Sequence, residues 1–191
     1  MEGQKKKKKR TFAIMKDPKL LNIELGRIRP DDYASLPPSG TVVVLDNIRS
    51  AHNIGSIFRT SDAFKVDCVY LCGICAFPPS AEMHKSALGA ELSMPWVHEK
   101  DTVSLVKRLH DEGYVVVSVE QTHNAVQLQD FVPGKGERYA LVFGNEVDGV
   151  SQDVVDASDC AVEIPQFGSK HSLNVSVSAG VVLWHFCKQL L

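Results

Sequence analysis

From Thr41 onward, short apolar runs alternate with amphipathic stretches, the pattern of a mostly parallel sheet with helices on both faces. Thr41 to Leu45 (TVVVL), Cys68 to Cys72 (CVYLC), Tyr114 to Val119 (YVVVSV), Tyr139 to Phe143 (YALVF) and Cys160 to Ile164 (CAVEI) predict buried strands. A shorter strand is expected over Ser93 to His98, after the turn-rich segment PPSAEMHKSALGAE. The amphipathic stretches predict helices over Asn53 to Lys65, Asp101 to Glu112, Ser151 to Ala157 and Asn174 to Leu191. The second of these has Asp101 or Thr102 as its cap and Gly113 just past its end. Two short helical segments, Leu20 to Leu25 and Asp31 to Leu36, lead into Pro37-Pro38-Ser39-Gly40. Residues 17 to 40 therefore read as an extension in front of one domain spanning 41 to 191.

In such a sheet ligands sit at the carboxyl ends of the strands. Four polar, glycine-containing stretches fall there: Asp46 to His52, Glu120 to Asn124, Gly144 to Gly149 and Pro165 to Leu173. They are the site candidates on pattern alone.

Charge adds an asymmetry that the net value of −2 hides. Lys5, Lys6, Lys7, Lys8, Lys9 and Arg10 against the single acid Glu2 give the first ten residues +5, leaving residues 11 to 191 at −7. Residues 1 to 16 are expected to form a disordered basic arm, either a solubility tail or a salt-sensitive grip on RNA phosphates. No apolar stretch follows it as in a signal peptide, and none has the length of a membrane span. A cytoplasmic protein is expected. Its 5 cysteines are an odd total, against a disulfide framework. Cys68, Cys72 and Cys75 sit on an apolar run that would turn their thiols different ways, so buried small hydrophobes are expected and no metal site.

Other chemistries lack their signatures. Gly134-Lys135-Gly136-Glu137-Arg138-Tyr139 misses the third glycine of a dinucleotide fingerprint and precedes a strand. There is no phosphate-binding G-x4-G-K-[ST], no G-x-S-x-G elbow and no H-E-x-x-H. Three loops instead form an ordered constellation: LDNIRSAHNIGSIFRTSDAF (Leu45 to Phe64), LVFGNEVDGVS (Leu141 to Ser151) and IPQFGSKHSLNVSVSAG (Ile164 to Gly180). Taken singly, Asn53 and Asn174 could be helix caps, and Gly144 and Gly149 turn glycines. Together and in this order, from Thr41 to Leu191, they resemble the SPOUT class of methyltransferases, and within it the SpoU/TrmH family of RNA ribose 2′-O-methyltransferases.

The resemblance implies an α/β fold whose C-terminal segment forms a deep trefoil knot around S-adenosyl-L-methionine. It implies a homodimer through the knot region and the terminal helix, where Val175, Val182, Leu183, Phe186 and Leu190 form an apolar stripe serving core or partner. It places the cofactor near Val119, Gly144, Ile164, Gln166, Ser172 and Leu173, with Gln166 standing where the family usually has methionine. Arg59 is the expected activator, orienting the 2′-hydroxyl and neutralising the substrate phosphate. Glu146 is expected either to bind loop amides or to pair with Arg59. Asn53 would hold the loop or receive the ribose, and Ser172 and Asn174 would contact substrate and brace the catalytic loop. Lys85 could meet phosphate. Only about forty residues precede Thr41, which points to tRNA ahead of rRNA. A non-catalytic RNA-binding module of the same fold is the competing reading, and the presence of Arg59, Glu146, Ser172 and Asn174 together counts against it.

Overall fold

The computed structural model describes residues 17 to 188. The expected basic arm and Leu190 therefore lie outside the described residues. The elements in chain order are β1 (Thr41–Asp46), α1 (Ala51–Ala63), β2 (Cys68–Cys72), α2 (Ala81–Ala87), α3 (Ala90–Ser93), β3 (Trp96–Glu99) and α4 (Thr102–Asp111). There follow β4 (Tyr114–Val119), β5 (Val126–Gln127), β6 (Arg138–Gly144), α5 (Gln152–Ala157), β7 (Cys160–Glu163) and α6 (Val175–Cys187).

All seven strands pair in parallel, in the order β3-β2-β1-β6-β4-β7-β5. Both faces of the central strands are covered, which is why their sequences are unbroken apolar runs. Val43, Leu45, Val117, Leu141 and Phe143 join α1 and α6 in one core, through Ile54, Ile57, Phe58, Val182, Leu183 and Phe186. Val42, Val44, Val116, Ala140 and Val142 face Leu105, Val106 and Leu109 of α4 and Val154 of α5 on the other side.

The late strands carry an unusual connection. β7 is inserted between β4 and β5, although β4 and β5 are neighbours in sequence. The segment that joins them must pass β7, and Gln121 Nε2 there donates to the His171 carbonyl at 2.8 Å. Farther along, the Phe131 carbonyl meets His185 Nε2 of α6 at 2.7 Å, and the Phe131, Tyr139 and Phe186 rings form one aromatic cluster.

Several sequence expectations need correction. α1 starts at Ala51 rather than Asn53, because Ser50 is the cap and its side chain accepts the Asn53 N–H at 3.2 Å. The stretch read as turns contains α2 and α3; Ser80 caps α2, and Met83 and Ala87 bury one short face. That displaces β3, expected from Ser93, to Trp96. β5, two residues long, has no period to read. On α6, Val182, Leu183 and Phe186 are core, so the surface stripe is a different one: Leu173 just before the helix, then Val177, Val181 and Trp184.

The extension is tied down at its second half. Its two helical segments are 3-10 turns, Asn22–Leu25 and Pro30–Ser35. Tyr33 is buried, its hydroxyl donating to the Val66 carbonyl at 2.9 Å, and the Ser39 and Gly40 N–H groups donate to the Asp67 carboxylate. Cys68 and Cys72 pack on one side of the sheet and Cys75 on the other. Burial pushes the Cys72 thiol up to about 12 and the Cys75 thiol up to about 11, so neither is a ready thiolate. Among the described residues, no helix is long and apolar enough to cross a membrane.

Candidate functional site

A fully parallel sheet brings every strand's carboxyl end to one edge. Three of the four loops expected there, those after β4, β6 and β7, enclose a cavity of about 460 Å³. Val119, Gly144, Glu146, Ile164, Gln166, Ser172, Leu173 and Asn174 all line it, so the structure gathers these sequence-predicted residues in one place. The fourth loop, after β1, contributes from behind. Freed from capping by Ser50, Asn53 donates from Nδ2 to Glu146 Oε1 at 2.8 Å and accepts at Oδ1 from Asn174 Nδ2 at 3.1 Å. Asn174 caps α6 with its own Oδ1, which accepts from Ser176 N at 2.9 Å. One chain of side-chain bonds thus joins the starts of α1 and α6 to the loop after β6.

Glu146 is therefore a partner of Asn53 and of loop N–H groups; of its two expected roles this is the amide-binding one and not the pairing with Arg59. Partial burial alone would raise its carboxyl, but the Asn53 amide and the N–H groups of Glu146, Arg49 and Ser50 outweigh that and hold it below its ordinary value. A carboxyl lowered on folding adds stability that is present above its unfolded pKa and is lost as pH falls through the folded one. The contribution of Glu146 is thus present at neutral pH and is lost on the acid side. In Asn53→Ala the Glu146 carboxyl should titrate at higher pH than in the wild type, read by carbon-detected NMR; an unmoved titration would mean that Asn53 does not set its charge.

The glycines answer to steric need. A Cβ on Gly144 would collide with the backbone of Gly149 and Val150, because Asn145 and Gly149 exchange N–H···O bonds of 3.1 Å in a tight return. Gly149 has φ +71° and leaves room for the Glu120 carboxylate, which accepts from Val150 N at 2.9 Å. Just beyond, the buried Asp46 carboxylate at the end of β1 accepts from Ser151 N and Oγ, both at 2.9 Å, and from Thr102 Oγ1 at 2.6 Å. Two carboxylates, one at the end of β1 and one just after β4, hold the loop's far end.

Sequence reasoning missed Glu120, Gln121, Asn145 and His171 as individual cavity residues, although each belongs to a loop flagged by its place after a strand. Arg59 is not brought into this group. It lies on the exposed face of α1 and does not line the cavity. Lys85 is exposed on α2, whose Ser86 hydroxyl donates to the His52 carbonyl at 2.9 Å, beside Asn53.

Comparison with known proteins shows the family and agrees with the fold. The profile of the SpoU rRNA Methylase family matches residues 40–184. A TrmH-family tRNA/rRNA methyltransferase of Staphylococcus haemolyticus is 33% identical over 144 residues, 75% of this chain and 57% of that protein. The 23S rRNA (guanosine-2′-O-)-methyltransferase RlmB of Vibrio vulnificus is 30% identical over 163 residues, 84% of this chain and 64% of its own length. The chain thus spans less than two thirds of these relatives. Among solved structures, an AdoMet-bound rRNA methyltransferase from Sinorhizobium meliloti superposes with a TM-score of 0.75 at 25% identity, over 83% of this chain and 60% of that one.

Proposed function

This chain belongs to the SpoU rRNA methylase family, and from that premise we propose that it uses S-adenosyl-L-methionine to methylate a ribose 2′-hydroxyl of RNA, with tRNA as its substrate in the cytoplasm. The observation that carries the reading is the Asn53–Glu146–Asn174 network, two of whose members form part of the wall of the three-loop cavity. The residues present fit the cofactor. Val119, Phe143, Val162, Ile164 and Leu173 give a flat base apolar walls, while Gln121, Gln166 and Ser172 bring polar groups to the same space. Val119, Gly144, Ile164, Gln166, Ser172 and Leu173 are the residues assigned to holding it. When bound, it supplies a methyl group on a positively charged sulfur.

What remains for the chain is alignment and removal of one proton. Arg59 would neutralise the phosphate beside the attacking ribose and orient its 2′-hydroxyl. As the oxygen took the methyl group, the carbon–sulfur bond would break, leaving a neutral thioether, and the hydroxyl proton would pass to water. A guanidinium does not give up its own proton readily, so orientation and charge are its part. Asn53, held from both sides, fixes the start of α1 and thereby the helix that carries Arg59. Ser172 contacts substrate, Asn174 braces the loop, and Lys85 meets a neighbouring phosphate.

A deep C-terminal trefoil knot is part of the proposal, supported by the passage of β7 between β4 and β5 and by the Gln121–His171 bond. So is a homodimer. Leu173, Val177, Val181 and Trp184 are 41%, 52%, 40% and 53% exposed, an apolar stripe of the kind a partner covers. α6 also packs on α1, with Gly180 against Thr60, the neighbour of Arg59.

The test is to incubate the protein with labelled S-adenosyl-L-methionine and bulk tRNA or rRNA, then map ribose methylation. Transfer to tRNA is expected. Transfer to rRNA alone would select the second reading, which the likeness to the Vibrio 23S rRNA enzyme favours. Cofactor binding without transfer to either RNA would leave a binding module. Deleting residues 1 to 10 should weaken RNA affinity and reduce its dependence on salt, by about 0.7–0.9 in logarithmic slope for each phosphate no longer neutralised; an unchanged slope would make the basic run a solubility tail.

A further inference from the structure

A second cavity, of about 600 Å³, opens between the loop before α2, α3 and the start of β3. Pro78, Pro79, Leu92 and Trp96 wall it, and His84 and Glu91 supply its polar edge. Its size suits one or two ring systems rather than a helix or strand. Trp96 is backed by Phe77, whose ring lies 6.2 Å away at an interplanar angle of 24°, and Phe77 is backed in turn by His98 at 4.8 Å. Phe77 is 48% exposed and Leu92 78%, so apolar surface stays in water with no cover from the described residues.

The polar edge is built. Glu91 is 5% exposed, and its carboxylate accepts from Gly89 N at 3.1 Å while binding His84 Nδ1. The bond to Glu91 occupies Nδ1 and leaves the other ring nitrogen, Nε2, for a polar contact with the edge of a base. α2 also links the cavity to the start of α1, the helix that carries Asn53. α2 carries His84 on the cavity and Ser86 on the His52 carbonyl, and a Cβ on Gly55 of α1 would collide with Met83 and Ser86. His84 and Ser86 are two residues apart, about 3 Å along the helix axis, with exposed Lys85 between them.

We propose that this cavity binds an unpaired base of the RNA, which stacks on Trp96 between the two prolines and Leu92 and is read at its edge by His84. Sequence-tolerant stacking with one or two polar contacts is how single-stranded RNA is commonly held. The inference rests on the RNA-directed reading above and names how a nucleotide beyond the methylated one is gripped.

The test uses the full chain with Trp184→Phe, which leaves Trp96 as its single tryptophan. Titration with a short single-stranded oligoadenylate should quench Trp96 fluorescence, and a duplex of the same length should not. Leu92→Glu, at a site too exposed to affect folding, and His84→Ala should each weaken substrate-RNA binding about tenfold while leaving S-adenosyl-L-methionine affinity unchanged. Absent quenching, equal quenching by the duplex, or wild-type RNA affinity in both variants would overturn the proposal. Failure of the wild-type chain to methylate any RNA while Trp96 is still quenched would instead overturn the methyltransferase reading and leave the base site standing.

Discussion

Replacing Arg59 by alanine should reduce methyl transfer by about 10²–10⁴-fold while leaving S-adenosyl-L-methionine affinity within about twofold of the wild type. The separation follows from position. Arg59 lies on the exposed face of α1 and outside the cavity wall, so its loss leaves the cofactor's surroundings intact and opens no hole in the core. Its helix stays anchored by Ile54, Ile57 and Phe58, all fully buried, and by the Asn53 bonds at its start. Arg59→Lys refines the result. A lysine keeps the charge beside the phosphate but loses the planar fork that can hold a phosphate and a hydroxyl together. An intermediate rate for lysine would assign charge and orientation separate shares; a rate equal to alanine would assign the role to the fork. Cofactor titration and single-turnover transfer on the same preparations check both variants. A large loss of cofactor affinity in Arg59→Ala would place the residue wrongly.

How much of this could be read before folding depended on burial and on sequence distance. β1, β4 and β6 were legible because both faces of each are covered, so their residues are almost all apolar and no partner need be known. α2 was not legible. It has two buried residues in seven and lies among prolines, serines and glycines that read as turns until Ser80 is seen to cap it. The same kind of ambiguity misplaced the start of α1. Ser50 and Asn53 are both good caps, and the choice turns on which side chain has better use elsewhere. Asn53 finds that use in Glu146 and Asn174, which lie 93 and 121 residues away, beyond the reach of any periodicity. Family resemblance named these residues together, and the structure brings them into contact, yet for Glu146 it offered both loop amides and Arg59 as partners. Only the positions of the loops resolve that choice. The cavity itself was legible in outline, since three of four loops marked by their place after strands do enclose it.

Gly144→Ala should cost both stability and cofactor binding, although it adds a single methyl group. Gly144 ends β6 at the centre of the sheet, paired with Asp46 of β1, and the chain turns back at once so that Gly149 and Val150 lie over it. The added Cβ meets backbone rather than the end of a flexible side chain, and the conflict can be relieved only by moving the loop or the strand. The strand is held on both sides by β1 and β4. Movement therefore falls on residues 145 to 151, where it would strain three attachments: Glu146 to Asn53, Glu120 to Val150, and Asp46 to Ser151. Overpacking of this kind costs about 1–3 kcal/mol, and in a chain of this length each kcal/mol lowers the melting temperature by about 2–4 °C. Because the same loop walls the cavity, cofactor affinity should fall by about tenfold or more, which distinguishes this variant from Arg59→Ala. Thermal melting and calorimetric titration with S-adenosyl-L-methionine read the two effects independently. A Gly144→Ala protein that melts and binds like the wild type would show that the loop can yield without loosening the cavity, and the placement of Glu146 would then have to come from Asn53 and the N–H groups of Arg49 and Ser50.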